Sequence, residues 1–89
     1  MTERILVIED DKSLQEYIKE FLVESGYSVD ITSDGIAALK RIEQFQPDLV
    51  LLDLGLPNIT GETVCADIRK HYPQLPIIIL TGKDSTSDI

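Results

Sequence analysis

Three uninterrupted apolar runs and one alternating stretch predict four β-strands. Residues 5–8, 49–52 and 77–80 contain no polar side chain, a pattern typical of strands whose two sheet faces are both covered by helices. Residues 28–32 alternate polar and apolar side chains instead, which indicates a half-exposed strand at the edge of a sheet. We therefore expect a sheet with buried central strands and at least one solvent-facing edge.

The segments between these strands have helical periodicity. Leu14–Leu22 places its apolar residues on one stripe, which we expect to pack into the core, and Gly26 is well placed to end this helix. A second helix is predicted between residues 33 and 47, and a third between residues 60 and 73. A proline stops each of these two helices, because proline cannot continue a helix and disfavours helical geometry in the residue before it.

The strict alternation of strands and helices implies parallel strands joined by right-handed crossovers. The half-polar strand belongs at an edge, and the two apolar strands that are followed by acids belong side by side. We therefore predict an α/β, flavodoxin-like doubly wound parallel sheet with strand order 2-1-3-4. Residues 1–89 form one domain in this interpretation, and a helix start at 85–88 indicates that the domain is incomplete at its C-terminus.

Charge and composition narrow the classes of partner. The formal net charge of −8 disfavours nucleic acid or an anionic membrane surface as the partner of this segment, because both would be repelled. The single cysteine, Cys65, excludes an internal disulfide, so a reducing, cytoplasmic location is expected. No apolar run approaches the ~20 residues that a membrane-spanning helix needs.

Acidic side chains follow the first and third strands. Glu9, Asp10 and Asp11 end one apolar run, and Asp53 ends another. Since ligands collect outside the carboxyl ends of such strands at the topological switch point, Glu9, Asp10 and Asp53 are expected to share one crevice. Carboxylates without His or Cys nearby suit Mg²⁺. Asp53 can then act as a nucleophile toward a phosphate donor and form an aspartyl phosphate, with the hydroxyl of Thr81 at the next strand end assisting.

Three motifs in order resemble those of two-component response regulator receiver domains. They are Ile-Leu-Val-Ile-Glu-Asp-Asp at 5–11, Leu-Leu-Asp-Leu-Gly-Leu-Pro followed by a glycine at 51–61, and Ile-Ile-Leu-Thr-Gly at 78–82. The resemblance covers all 89 residues, and the order and spacing of the three motifs make it specific.

The resemblance implies a role for each matched residue. Glu9 and Asp10 would form the acidic pair that binds Mg²⁺ together with Asp53, and Gly55 would give its backbone carbonyl to the ion. Asp53 would accept a phosphoryl group from a sensor histidine kinase, and Thr81 would follow that group and pull its loop inward. The domain would catalyse its own phosphorylation and dephosphorylation, unlike a conventional enzyme, and would switch conformation to control an output domain.

The resemblance also indicates which output domain and which protein contacts this chain would have. The motif at 53–61 is similar to that of regulators with a winged-helix DNA-binding output domain, so a transcriptional output is expected. Family members carry a Lys and an aromatic residue in a fifth strand, which residues 1–89 do not reach. Lys83 is no substitute for that Lys, because it lies only two residues after Thr81. Residues 77–80 are then an exposed edge available for self-association. The alternative hypothesis is a receiver fragment that takes no phosphate and acts only as a protein-interaction module.

Three other residues have simpler, structural interpretations. Ser13 and Glu16 have capping-box spacing, with Asp11 as a competing N-cap, so Asp11 is expected to be a helix N-cap or a solvated acid and not a metal ligand. Cys65 is expected to be a small buried or half-buried helix residue and not a reactive thiol. His71 falls in the last turn of its predicted helix, where it favours the helix dipole.

Overall fold

The computed structural model describes residues 2–56 and 59–80, which form a parallel sheet with helices on both faces. The sheet order is β2-β1-β3-β4, which confirms the predicted flavodoxin-like topology. The elements in chain order are β1 (Arg4–Ile8), α1 (Lys12–Glu24), β2 (Ser28–Thr32), a 3-10 helix (Gly35–Ala37), α2 (Ala38–Phe45), β3 (Leu49–Asp53), α3 (Gly61–His71) and β4 (Ile77–Leu80).

The main core lies between the sheet and helices α2 and α3. Leu6 of β1 is in register with Val50 of β3, and Ile8 with Leu52, and none of the four is exposed to solvent. Truncating a side chain such as Leu52 to Ala is expected to cost about 2–5 kcal/mol, because the packed neighbours cannot fill the cavity. The remaining buried members of this core are Ala38, Ile42, Leu56, Val64 and Ile68.

Helix α1 starts immediately after the acidic segment that follows β1. Asp11 and not Ser13 is its N-cap, since the side-chain Oδ1 of Asp11 accepts the backbone N–H of Leu14 at 3.1 Å. The helix ends at Ser25, and Gly26 has a φ of +100°, a conformation that glycine adopts without a Cβ penalty.

The apolar stripe of α1 is far more exposed than its periodicity predicts. No residue of α1 is buried, and Tyr17 and Phe21 are 68% and 61% exposed. Helix α1 contacts mainly β2, and within the described part of the chain no second helix lies beside it on that face of the sheet. Ile78, which points to the same face from β4, is 51% exposed. The prediction that Leu14–Leu22 is core was therefore wrong, because only the flank of this stripe meets the sheet.

Helix α2 is tied to the edge strand β2 by one arginine. The Nη1 atom of Arg41 forms an ion pair with the Asp30 carboxylate at 2.9 Å, and its Nη2 atom donates to the backbone carbonyl of Ile31 at 2.9 Å. Both ionic side chains are partly exposed. This contact holds the second crossover against the sheet at the edge strand β2.

The two edges of the described sheet are β2 and β4. Strand β2 pairs with β1 alone, which confirms the edge position predicted for residues 28–32, and β4 pairs with β3 alone among the described strands. Thr81, Lys83 and the helix start predicted at 85–88 lie outside the described residues. Within the described ranges, no helix has the length and apolar character needed to cross a membrane.

Candidate functional site

The carboxyl ends of the central strands bring three acidic side chains together. Glu9 and Asp10 directly follow β1, and Asp53 is the last residue of β3. One carboxylate oxygen from each residue lies within 4.8 Å of those from the other two. Glu9 and Asp53 are only 3% and 7% exposed, whereas Asp10 faces solvent. The result is an acidic crevice with a buried floor and an open mouth at the switch point of the sheet.

Glu9 is fixed through its backbone and its side chain. Its N–H donates to the carbonyl of Thr32 at 3.0 Å, which extends the β1–β2 ladder, and its Oε2 accepts the N–H of Asp11 at 3.1 Å. Its own carbonyl accepts a hydrogen bond from the side-chain Nε2 of Gln15. The sequence analysis did not identify Gln15. The only sequence feature that indicates its contact with Glu9 is its position in the first turn of α1, from which a long side chain can reach back to the strand end.

Asp53 is oriented by the turn that follows it. Its Oδ1 accepts the backbone N–H of Gly55 at 3.1 Å, an arrangement typical of aspartate at the start of a turn. Gly55 itself is exposed at the rim of the crevice, close to the carboxylates. The structure thus ties Gly55 to Asp53 through its N–H, and the predicted role of its carbonyl stays a prediction.

Helix α3 approaches this turn so closely that only glycine fits at position 61. A Cβ on Gly61 would lie 2.5 Å from the Cα of Leu54 and 2.9 Å from the backbone carbonyl oxygen of Asp53. The Gly61 N–H also donates to the Leu54 carbonyl at 3.3 Å. Because the atoms in the way belong to the backbone, any side chain at Gly61 must displace the turn that carries Asp53.

The clustered acids alter the proton affinity of Glu9. Burial raises the pKa of the Glu9 carboxyl above its usual value of 4.5, the Asp11 N–H lowers it, and the Asp53 carboxylate raises it further through charge repulsion and a hydrogen bond. Among residues 2–56 and 59–80, no Lys or Arg forms an ion pair with any of the three acids. The crevice therefore concentrates negative charge that a cation would relieve.

The donor set in this crevice fits Mg²⁺. Glu9, Asp10 and Asp53 offer hard carboxylate oxygens, and no His or Cys belongs to the cluster. Magnesium prefers one or a few carboxylates with water or phosphate oxygens completing its shell, and the open mouth beside Asp10 leaves room for such ligands. The hydroxyl predicted to assist, that of Thr81, lies outside the described residues.

Comparison with known proteins places this geometry in a family. The sequence profile of the response regulator receiver domain matches residues 5–89. The chain belongs to this family. It is 41% identical to Response regulator MprA of Mycobacterium sp. (strain KMS) over 88 residues, which are 99% of this chain and 38% of that protein. The MprA protein of Mycobacterium tuberculosis (strain ATCC 25177 / H37Ra) is 40% identical over the same length. This receiver domain therefore spans well under half the length of these relatives.

Solved receiver domains share its fold. Response regulator protein TrrA from Thermotoga maritima, crystallised in complex with Mg(2+)-BeF, has a TM-score of 0.88 and 39% identity, and the match covers 99% of this chain and 77% of that one. A CheY-like receiver domain protein from Methanospirillum hungatei also has a TM-score of 0.88, with 30% identity over 93% of this chain and 66% of that chain. The four-stranded order and helix placement of this receiver domain are thus those of the CheY-like fold.

Proposed function

We propose that this receiver domain accepts a phosphoryl group on Asp53 from a sensor histidine kinase, in a Mg²⁺-dependent reaction, and relays the event to an output domain. The observation that carries the proposal is the meeting of Glu9, Asp10 and Asp53 within 4.8 Å at the carboxyl ends of adjacent strands. An acid cluster with no neutralising partner in the described chain is costly unless a cation uses it. Membership of the receiver family supports the same conclusion.

The transfer is a displacement at phosphorus. A carboxylate oxygen of Asp53 attacks the phosphorus of a phosphohistidine, an O–P bond forms, and the P–N bond breaks with its electron pair leaving on the imidazole nitrogen, which takes up a proton. The Gly55 N–H holds the Oδ1 atom of Asp53 in place and keeps the carboxylate in one orientation. Dephosphorylation is the attack of water on the same phosphorus, with Asp53 as the leaving group.

Four groups of this chain would hold the metal. The carboxylates of Glu9, Asp10 and Asp53 would bind it together with the backbone carbonyl of Gly55, which lies at the rim of the crevice. Magnesium supplies neutralisation of the charge that develops on the phosphoryl oxygens. Glu9 is buried and would bind the ion from the floor of the site. Asp10 is exposed and would bind it from the solvent-facing mouth.

Phosphorylation of Asp53 would also affect parts of the protein beyond the crevice. The Thr81 hydroxyl would hydrogen-bond to the phosphoryl group and draw its loop toward Asp53. The output would be a DNA-binding domain in the full-length protein, as the resemblance of the motif at 53–61 to regulators with a winged-helix output domain implies. This segment would not itself touch DNA, since its net charge is −8. We place the protein in the cytoplasm, where kinase domains and DNA are accessible.

Intact-mass spectrometry tests this function. The chain is incubated with acetyl phosphate in the presence and absence of Mg²⁺, alongside Asp53→Asn. The proposal predicts the addition of one phosphoryl group that disappears in the variant and without Mg²⁺. A folded chain that takes up no phosphoryl group would support the interaction-module alternative instead, and uptake that survives Asp53→Asn would contradict the assignment of the acceptor.

We also propose that the outer edge of β4 mediates self-association. Strand β4 pairs with β3 alone in the described sheet, and Ile78 is 51% exposed on an apolar, β-branched strand. Such an edge is a template for another strand. Sedimentation velocity over a concentration series should show a dimer or larger species that Ile78→Lys weakens. A monodisperse monomer at high concentration would contradict self-association and leave the phosphoacceptor proposal untouched.

A further inference from the structure

One peptide unit joins the two acids that directly follow β1. Its carbonyl belongs to Glu9 and its N–H to Asp10, and the carbonyl oxygen accepts a hydrogen bond from the side-chain Nε2 of Gln15. A trans peptide is planar and rigid, so fixing its oxygen fixes the direction of the whole plane. The bond therefore sets the relative orientation of two consecutive metal-ligand candidates.

The other contacts in this segment act on different atoms. The Thr32 carbonyl holds the N–H of Glu9, and the Asp11 N–H holds the Glu9 carboxylate. Within the described part of the chain, no other hydrogen bond reaches the peptide between Glu9 and Asp10. The Asp10 side chain is exposed. Its backbone direction thus depends on Gln15 more than on any other described side chain.

Gln15 is well suited to this task. It is half-buried in the first turn of α1, and its own backbone N–H donates to the Asp11 carbonyl at 2.9 Å. Asp11 in turn caps the helix through Leu14. The Gln15 side chain therefore projects from a fixed helical turn, and its amide links that turn to the strand end that carries the acids.

We propose that Gln15 is a positioning residue for the magnesium site of this receiver domain, acting through the backbone carbonyl of Glu9. The proposal rests on the function proposed above, because it assumes that Glu9 and Asp10 bind Mg²⁺. Residues that orient metal ligands from outside the coordination shell typically change metal affinity by about 10- to 100-fold when they are replaced. Loss of the Gln15 amide is expected to weaken Mg²⁺ binding by about 10-fold, at the lower end of that range.

The test compares Gln15→Met with Gln44→Met in the same 89-residue chain. Methionine keeps the length of the side chain and its helix propensity but has no N–H donor. Gln44 lies exposed on α2, away from the acids, and controls for the chemical change itself. Mg²⁺ affinity is measured by isothermal titration calorimetry, the melting temperature in EDTA by circular dichroism, and the ¹³C carbonyl shift of Glu9 by NMR.

The expected result has three parts. Gln15→Met weakens Mg²⁺ binding, moves the Glu9 carbonyl resonance upfield because that oxygen loses its donor, and leaves the EDTA melting temperature close to that of Gln44→Met. Gln15→Glu sharpens the test, since its added negative charge alone would tighten Mg²⁺ binding, whereas loss of the donor weakens it. We expect it to bind Mg²⁺ more weakly than the parent chain.

Two outcomes would overturn the inference, and they are distinguishable from failure of the proposed function. Equal Mg²⁺ affinities of the parent chain and Gln15→Met would remove the role of Gln15 while leaving the metal site in place. If Gln15→Met bound Mg²⁺ more weakly but also melted in EDTA well below Gln44→Met, the loss of affinity would follow from loss of stability, and Gln15 would be a structural residue only. If the parent chain itself bound no Mg²⁺, both proposals would be wrong.

Discussion

Glu9, which directly follows β1, and Asp53, which ends the neighbouring strand β3, bring their carboxylate oxygens within 4.8 Å of each other. Burial raises the pKa of the Glu9 carboxyl most, and the nearby negative charge of Asp53 raises it further. Both side chains are almost wholly buried. The fold thus holds two like charges together at the place where a divalent cation would bind. Repulsion between these carboxylates lowers the stability of the fold at the site of the proposed reaction.

The first prediction concerns pH and stability without metal. Because the folded-state pKa of Glu9 lies above its usual value of 4.5, the folded state binds the proton more tightly than the unfolded state does. The stability contributed by this proton is fully present below that usual value and is lost as pH rises through the raised folded-state pKa. Glu9→Gln cannot ionise, so in EDTA it should melt at a higher temperature than the parent chain at neutral pH.

Thermal melts across the acid-to-neutral range check this directly. The difference in melting temperature between Glu9→Gln and the parent chain should shrink toward acid pH. Glu20→Gln, at an exposed position on α1, serves as the matched control. Added Mg²⁺ should raise the melting temperature of the parent chain at neutral pH, because it binds the folded state alone, and should raise that of Glu9→Gln much less. A pH-independent difference would contradict the coupling between these acids.

The second prediction concerns the close approach of α3 to the Asp53 turn. Gly61→Ala introduces a Cβ where backbone atoms already lie 2.5 Å and 2.9 Å away. We expect a loss of about 1–3 kcal/mol of stability from overpacking, together with weaker Mg²⁺ binding, because the displaced turn carries Asp53. Chemical denaturation and calorimetric Mg²⁺ titration measure the two effects.

Gly26→Ala provides the comparison for Gly61→Ala. Gly26 has a positive φ with no atoms within 4 Å of an added Cβ, so its substitution should cost about 1–2 kcal/mol through backbone strain alone. Its Mg²⁺ affinity should equal that of the parent chain. Equal effects of both glycine variants on Mg²⁺ binding would show that general destabilisation, and not the position of the turn, controls the site.

The third prediction separates the cap from the metal ligands. Asp11→Ala removes the acceptor for the Leu14 N–H and should lower the free energy of unfolding by about 1 kcal/mol. The N–H that Asp11 donates to Glu9 belongs to the backbone and survives the substitution, so Mg²⁺ affinity should change little. Asp11→Ser should restore most of the stability. If Asp11→Ser bound Mg²⁺ far more weakly than the parent chain, Asp11 would have to be a ligand.

The fourth prediction concerns the contact between α2 and the edge strand β2. A double-mutant cycle of Arg41→Met and Asp30→Asn should give a coupling of about 0.5–1 kcal/mol that falls as salt is added, because both side chains are partly exposed. The Arg41 substitution should cost more than the Asp30 one, since it also removes the hydrogen bond to the Ile31 carbonyl. Phosphoryl uptake should be unchanged in all three variants, because none of them alters an acid of the crevice, and a loss of uptake would connect this contact to the crevice.

Much of the fold follows from local patterns in the sequence. The apolar runs at 5–8 and 49–52 and the alternating run at 28–32 determine which strands are central and which is an edge, and the observed order agrees. The meeting of Glu9 and Asp53 follows from that order, because adjacent parallel strands end at the same edge of the sheet. Uninterrupted apolar runs for the central strands, alternation for the edge strand and the crossover rule are sufficient for both.

Other features depend on contacts that no pattern encodes. The stripe on α1 has the periodicity of a core helix, yet Tyr17 and Phe21 are mostly exposed, because burial depends on what else covers that face of the sheet. Gln15 is an ordinary helix residue in the sequence, and its bond to the Glu9 carbonyl becomes visible only when the first turn of α1 is placed against the end of β1. The steric demand at Gly61 likewise arises from a tertiary approach.

The most direct test of the account is to locate the phosphoryl group itself. After phosphorylation with acetyl phosphate and Mg²⁺, borohydride reduction converts an aspartyl phosphate to homoserine, and peptide mass spectrometry identifies the modified residue. We predict homoserine at position 53, which precedes the turn that contacts Gly55 and Gly61. Reduction at Asp10 or another acid, with Asp53 unchanged, would contradict it.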